Sequence, residues 1–254
     1  MSHVLNLTYQ NLGWQTAADL YLPPDFDEQK RYPAIVSTHP IGSCKEQTAG
    51  NVYAKGLAEA GFVVLVHDAS FQGASGGEPR FIEDPAIRVS DIRFAVDYLQ
   101  SLPYVDSDRI GAIGVCGGGA YTIHAGITDH RLKALVSITG VNYGRLIREG
   151  FAQFKPLELA QGIARMRTAQ AQGDATESAD LLPESVAAAT AAGITDKAGG
   201  FGAYRDGWEI YGRAASTDKH IVVAEGWSHY DLYDKAEPVA IAMASVVPFF
   251  QRTL

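Results

Sequence analysis

Apolar residues recur along this chain in two periods, and the two alternate. LNLTYQ (5–10) and AADLYLP (17–23) are short β-favouring runs parted by polar residues and Gly13, which predicts an antiparallel opening pair. PAIVSTHP (33–40), FVVLVHDAS (62–70), RIGAIGVC (109–116) and LKALVSITG (132–140) are nearly continuous apolar runs. Such runs fit strands covered on both faces. Between them, GNVYAKGLAEAGF (50–62) reads as a helix stopped by Gly61. Asp84 to Leu102 carries Ile87, Ile92, Ala95, Val96 and Leu99 at helical spacing and is closed by Pro103. GGGAYTIHAGI (117–127) opens a further helix, and FQGASGGEPR (71–80) is a loop. Strand and helix in alternation predict an α/β fold, a mostly parallel central sheet with helices on both faces.

The pattern changes after Gly140. LELAQGIARMRTAQAQG (157–173) and LLPESVAAATAAG (181–193) are Ala-rich and helix-favouring, and 141–219 holds no β-branched run fit for a central strand. HIVVAEG (220–226) predicts a return to the sheet, and EPVAIAMASVVPFFQRTL (237–254) a closing helix interrupted or ended near Pro248. The expected division is a core of 1–140 and 200–254 with a helical cap insertion at 141–199.

Composition narrows the function classes. With 254 residues, 46 % hydrophobic and 20 % charged, the chain has material for a sizeable core. A net charge of −8 without basic clusters argues against a nucleic-acid partner. The first residues lack a basic segment followed by an apolar one, and no apolar run is long enough to span a bilayer, so no membrane association and a cytoplasmic location are expected. Two cysteines, Cys44 and Cys116, are too few for a disulfide framework. No histidine–carboxylate spacing suggests a metal, no cofactor is expected, and assembly leans toward a small homo-oligomer.

The chemistry concentrates at GVCGGGAY (114–121). A G-x-C-x-G run between a strand and a helix would hold Cys116 on a sharp turn, with the first N–H groups and the dipole of the helix beneath it. That setting lowers a thiol's pKa. A packed, inert thiol is the alternative. A phosphate loop fits less well, because Gly117 and Gly119 are followed by Thr122 where a third glycine belongs. A nucleophile here needs a base that comes last in the chain, and His229 in EGWSHYDLYD follows the last expected strand. Gly117 and Ile41, the latter in HPIGSCKEQ (39–47), would supply the two oxyanion-hole N–H groups.

STHPIGSCKEQTAG, HDASFQGASGGEPR, LPYVDSDRIGAIGVCGGGAY and EGWSHYDLYDK, in this order, resemble an α/β-hydrolase. They are most similar to the dienelactone-hydrolase-like and X-prolyl-peptidase-like branch that includes fungal polyketide transferases. The resemblance spans roughly 1–140 and 200–254. It implies a Cys116–His229 pair with a triad acid, acting without a cofactor on a small-molecule ester, thioester or lactone through a covalent acyl-enzyme. An acyltransferase and a non-catalytic ligand-binding protein are the alternatives. The family pattern breaks at the acid. Its position aligns near Gly202, the strand that would carry it is not visible, and Asp206, Asp231 and Asp234 are the nearest carboxylates. Either a strand is absent near 193–200, or a cysteine–histidine dyad suffices.

Overall fold

The computed structural model describes residues 3–149, 155–175, 186–191 and 196–254. Its strands are β1 (His3–Gln10), β2 (Gln15–Leu22), β3 (Tyr32–Thr38), β4 (Val63–His67), β5 (Val105–Val115) and β6 (Leu132–Ile138). They form one sheet in the order β1-β2-β4-β3-β5-β6. β1 and β2 pair antiparallel with each other, β2 antiparallel with β4, and β4, β3, β5 and β6 run parallel. Every residue of β4 is buried, as a doubly covered central strand requires.

Helices cover both faces. On one, α2 (Pro85–Ser101) and α3 (Gly117–Thr128) bury Ile92, Val96, Leu99 and Ala125 against Leu20, Val36, Leu65 and Ile110. Asp84 caps α2 by accepting the Ala86 N–H at 2.8 Å. On the other face, a π-helical stretch Thr48–Ala54 continues into α1 (Lys55–Glu59) and packs beside α9 (Ala236–Thr253). Tyr53, Leu57, Val246 and Phe250 meet Ile35, Val64 and Ile113 there. The alternation of β-rich and helical runs therefore reports the real layers, and the fold is that of the α/β-hydrolases.

After β6 the described residues up to Arg213 supply helices only: α4 (Tyr143–Glu149), α5 (Pro156–Ala171), α6 (Val186–Ala191) and α7 (Asp196–Arg213). Residues 150–154, inside the expected cap insertion, lie outside the described residues, as does most of 181–193. Arg145 of α4 pairs with Asp206 and Glu209 of α7 and ties these helices together.

Two expectations need correction. HIVVAEG (220–226) is not a strand; Val222 and Val223 are 49 % and 44 % exposed. β6 pairs with β5, and among the described residues no strand lies between β6 and this segment to offer it a ladder. A β-favouring run without a neighbour to pair with does not make a strand. Helix α9 also runs unbroken through Pro248. Pro248 forfeits its N–H, yet the buried side chains of Val246 and Phe250 on either side hold the helix against the sheet.

Candidate active site

β5 ends at Val115 and α3 begins at Gly117, so Cys116 alone makes the turn. It does so at φ +57° and ψ −124°, a conformation that costs a side-chain-bearing residue about 1–3 kcal/mol. Its surroundings enforce it. The Cys116 N–H donates to the Ile138 carbonyl at 3.0 Å, and its carbonyl accepts from Gly119 N–H at 3.0 Å and Val141 N–H at 3.1 Å. The flanking glycines are steric necessities. A Cβ on Gly114 would lie 2.2 Å from the Gly118 oxygen, and one on Gly118 would lie 2.4 Å from the Thr38 oxygen.

The loop after β3 is fixed from three sides. His39, fully buried, uses Nδ1 toward the Pro40 carbonyl at 2.7 Å and accepts the Ala69 N–H on Nε2 at 3.0 Å, which sets its tautomer. Arg88, buried in α2, donates to the His39 carbonyl at 2.6 Å. Lys45 gives its N–H to Asp68 at 2.8 Å, and its ammonium lies 3.8 Å from Asp19 and 3.9 Å from Asp68. Held this way, the loop turns the Ile41 N–H to the Cys116 sulfur, where the Gly117 N–H also points. Ile41 and Gly117 therefore lie side by side next to the thiol. Cys44 and Cys116 are both free thiols.

His229 is 5 % exposed, on the turn that enters α8 (Asp231–Asp234). Asp231 accepts the Ser228 N–H at 2.9 Å. Tyr53 donates to the Leu232 carbonyl at 2.7 Å and Thr48 to that of Tyr233 at 2.5 Å, so the π-helical stretch anchors the segment. The hydroxyl of Tyr233 lies 3.2 Å from His229 Nε2, and Tyr233 and Cys116 pack against the same buried cluster. The His229 ring packs edge-on to Tyr230 and tilted on Tyr233, with centroids 4.9 and 5.5 Å away. Ile41 and Gly117 thus stand beside Cys116, and Tyr233 touches His229 and shares a buried cluster with Cys116.

Burial pushes the Cys116 thiol above its ordinary pKa, against hydrogen bonds from Tyr233, Gly117 and Ile41 and the nearby charge of Arg88, all of which favour thiolate. A thiol lowered by the helix N-terminus is thus not what forms. Desolvation outweighs those hydrogen bonds and that charge. Burial foremost also raises the Tyr233 phenol.

The nearest carboxylates have other engagements. Asp206 accepts the Asn142 N–H at 2.8 Å and pairs with Arg145. Asp231 is held below the usual carboxylate range by Lys235 and the Ser228 N–H. Asp234 is exposed. Sequence reasoning missed Tyr233, His39 and Arg88. The signal for Tyr233 was its spacing, four residues beyond His229 and so one helical turn away. Among the described residues no three His, Cys, Asp or Glu side chains gather as a metal site, and no helix is long and apolar enough to cross a membrane.

Comparison with known proteins places this geometry. Residues 13–236 match the family described as X-Pro dipeptidyl-peptidase (S15 family). An uncharacterized protein of Escherichia coli, YcjY, is 36 % identical over 301 aligned positions that cover 94 % of each chain. Those positions outnumber the 254 residues here, so that relative carries stretches without a counterpart in this chain. A thiohydrolase of Eupenicillium brefeldianum is 32 % identical over 51 % of this chain and 42 % of its own length. Among solved structures, the α/β-hydrolase GrgF of Penicillium sp. sh18 superposes with a TM-score of 0.74 over 99 % of both chains, at 19 % identity.

Proposed function

This chain belongs to the X-Pro dipeptidyl-peptidase (S15) family, and within that family we propose that it cleaves an ester, thioester or lactone of a small molecule through a covalent Cys116 acyl-enzyme. One observation carries the reading: Cys116 stands on the strained strand-to-helix turn with the N–H groups of Ile41 and Gly117 aimed at its sulfur. The turn of this fold generally carries serine. Cysteine in its place favours activated acyl donors over amides, because a thiolate leaves a tetrahedral adduct more readily than an amine does. The printed name of the Eupenicillium relative, a thiohydrolase, supports the thioester class.

Each residue has a step in this reading. His229 takes the thiol proton, and the thiolate attacks the acyl carbon, forming the C–S bond while the carbonyl electron pair moves onto oxygen. The Ile41 and Gly117 N–H groups bind that oxyanion, with donors fixed before the charge develops. Collapse breaks the bond to the leaving group, which takes its proton from His229. Water, deprotonated by His229, then releases the acid and restores the thiol. An alcohol in place of water gives acyl transfer by the same steps.

Hydrolysis of p-nitrophenyl acetate tests the reading. Cys116→Ala abolishes turnover, and His229→Ala reduces it by about 10³-fold. Wild-type turnover by Cys116→Ala sinks the nucleophile. Product analysis with an added alcohol separates ester formation from hydrolysis.

A further inference from the structure

We propose that Tyr233 is a catalytic residue whose hydroxyl carries the proton between the Cys116 thiol and His229. The inference rests on Cys116 as nucleophile and adds the route by which the base reaches it. The Tyr233 hydroxyl lies 3.2 Å from His229 Nε2, and Tyr233 packs with Cys116 against the same buried cluster, where the phenol favours the thiolate. Its position is enforced from outside the site. Thr48 binds the Tyr233 carbonyl, Tyr53 binds the Leu232 carbonyl, and the ring packs against both His229 and Tyr230. A hydroxyl is suited to this place because it can accept one hydrogen bond while donating another.

The step balances. The S–H proton passes to the Tyr233 oxygen as the Tyr233 O–H proton passes to His229 Nε2. One S–H and one O–H bond break, and one O–H and one N–H bond form. Thiolate and imidazolium result, and Tyr233 ends neutral with its hydroxyl now donating to the thiolate. The buried phenol, raised above its ordinary pKa, does not ionise along the way. Reversal of the same shift returns the proton when the thiol is released.

Tyr233→Phe removes the hydroxyl and keeps the ring. We expect kcat for p-nitrophenyl acetate to fall about 10²-fold with KM within about twofold, since the lost group acts on proton transfer. The decisive readout needs no substrate. Alkylation of Cys116 by iodoacetamide, followed against pH in a Cys44→Ser background, should shift upward by about one pH unit. That corresponds to about tenfold slower reaction at a fixed pH on the rising limb. A purely structural tyrosine would leave this profile in place. The proposal is overturned if Tyr233→Phe keeps kcat within about threefold of wild type. It is equally overturned if kcat falls while the alkylation profile stays put. Full turnover by Cys116→Ala removes nucleophile and relay together; an inactive Cys116→Ala beside a fully active Tyr233→Phe removes the relay alone.

Discussion

Replacing Gly118 with alanine probes the elbow where its steric tolerance is lowest. The new Cβ would stand 2.4 Å from the Thr38 oxygen, 2.6 Å from the His39 oxygen and 2.9 Å from the Thr38 carbonyl carbon. All three are main-chain atoms at the end of β3, so relief requires the strand end and α3 to part by roughly 1 Å to reach van der Waals distance. Overpacking of this kind costs about 1–3 kcal/mol, and a rigid backbone obstacle puts the value near the top. At roughly 2–4 °C per kcal/mol for a chain of this size, the melting temperature should drop by about 6–12 °C. The same displacement moves the loop that presents the Ile41 N–H, and a shift of about 1 Å in a catalytic group can cost up to about 10²-fold in rate. Gly117→Ala is the contrast. Its Cβ would meet Ile41 Cγ1 at 2.5 Å and Cδ1 at 2.6 Å, the outer atoms of a side chain that can rotate, so its cost should stay below about 1 kcal/mol. Circular-dichroism melts and esterase assays on both variants decide the matter. A Gly118→Ala protein melting within about 2 °C of wild type, or a Gly117→Ala protein equally damaged, would refute the steric account.

Acid should destabilise the protein before its carboxylates titrate. Burial lowers His67 to about 4 and His39 well below its usual value, so below about pH 6.5 the unfolded chain binds protons that the folded one refuses. Stability is present above that pH and is lost as pH falls, by on the order of 3 kcal/mol between about pH 6.5 and 5 for the two together. Urea midpoints that stay flat across that window would contradict it. In the wild-type protein, Cys116 should be alkylated more slowly at neutral pH than a free thiol, because burial raises it; rapid labelling by iodoacetamide at pH 7, located by peptide mapping, would show a thiolate instead.

The middle of the sheet was legible because β3, β4 and the second half of β5 are buried on both faces. PAIVSTHP, FVVLVHDAS and RIGAIGVC have no polar face, and central parallel strands leave that mark. The elbow was legible because its sterics demand glycine in positions that few other structures share. Tyr233 was hidden for the opposite reason. A tyrosine one turn from a histidine is an ordinary helical pair, and only the tertiary contact with Cys116 gives it meaning. The raised thiol was hidden too. The helix N-terminus can be read from GGGAY, whereas the desolvation that outweighs it depends on how the rest of the chain closes over the sulfur.

The reason the sequence offered for placing His229 at the site does not hold. The sequence argument set it at the end of a strand formed by HIVVAEG, and that strand does not form. What holds the histidine's segment is a helical anchor. The buried side of α9 packs Val246 and Phe250 against the sheet, and the π-helical stretch donates from Thr48 and Tyr53 into α8. These contacts approach from the face opposite α2 and α3. They fix the main chain at Leu232 and Tyr233, one turn past the imidazole. A side chain held through its C-terminal neighbours does not need the strand before it to be paired.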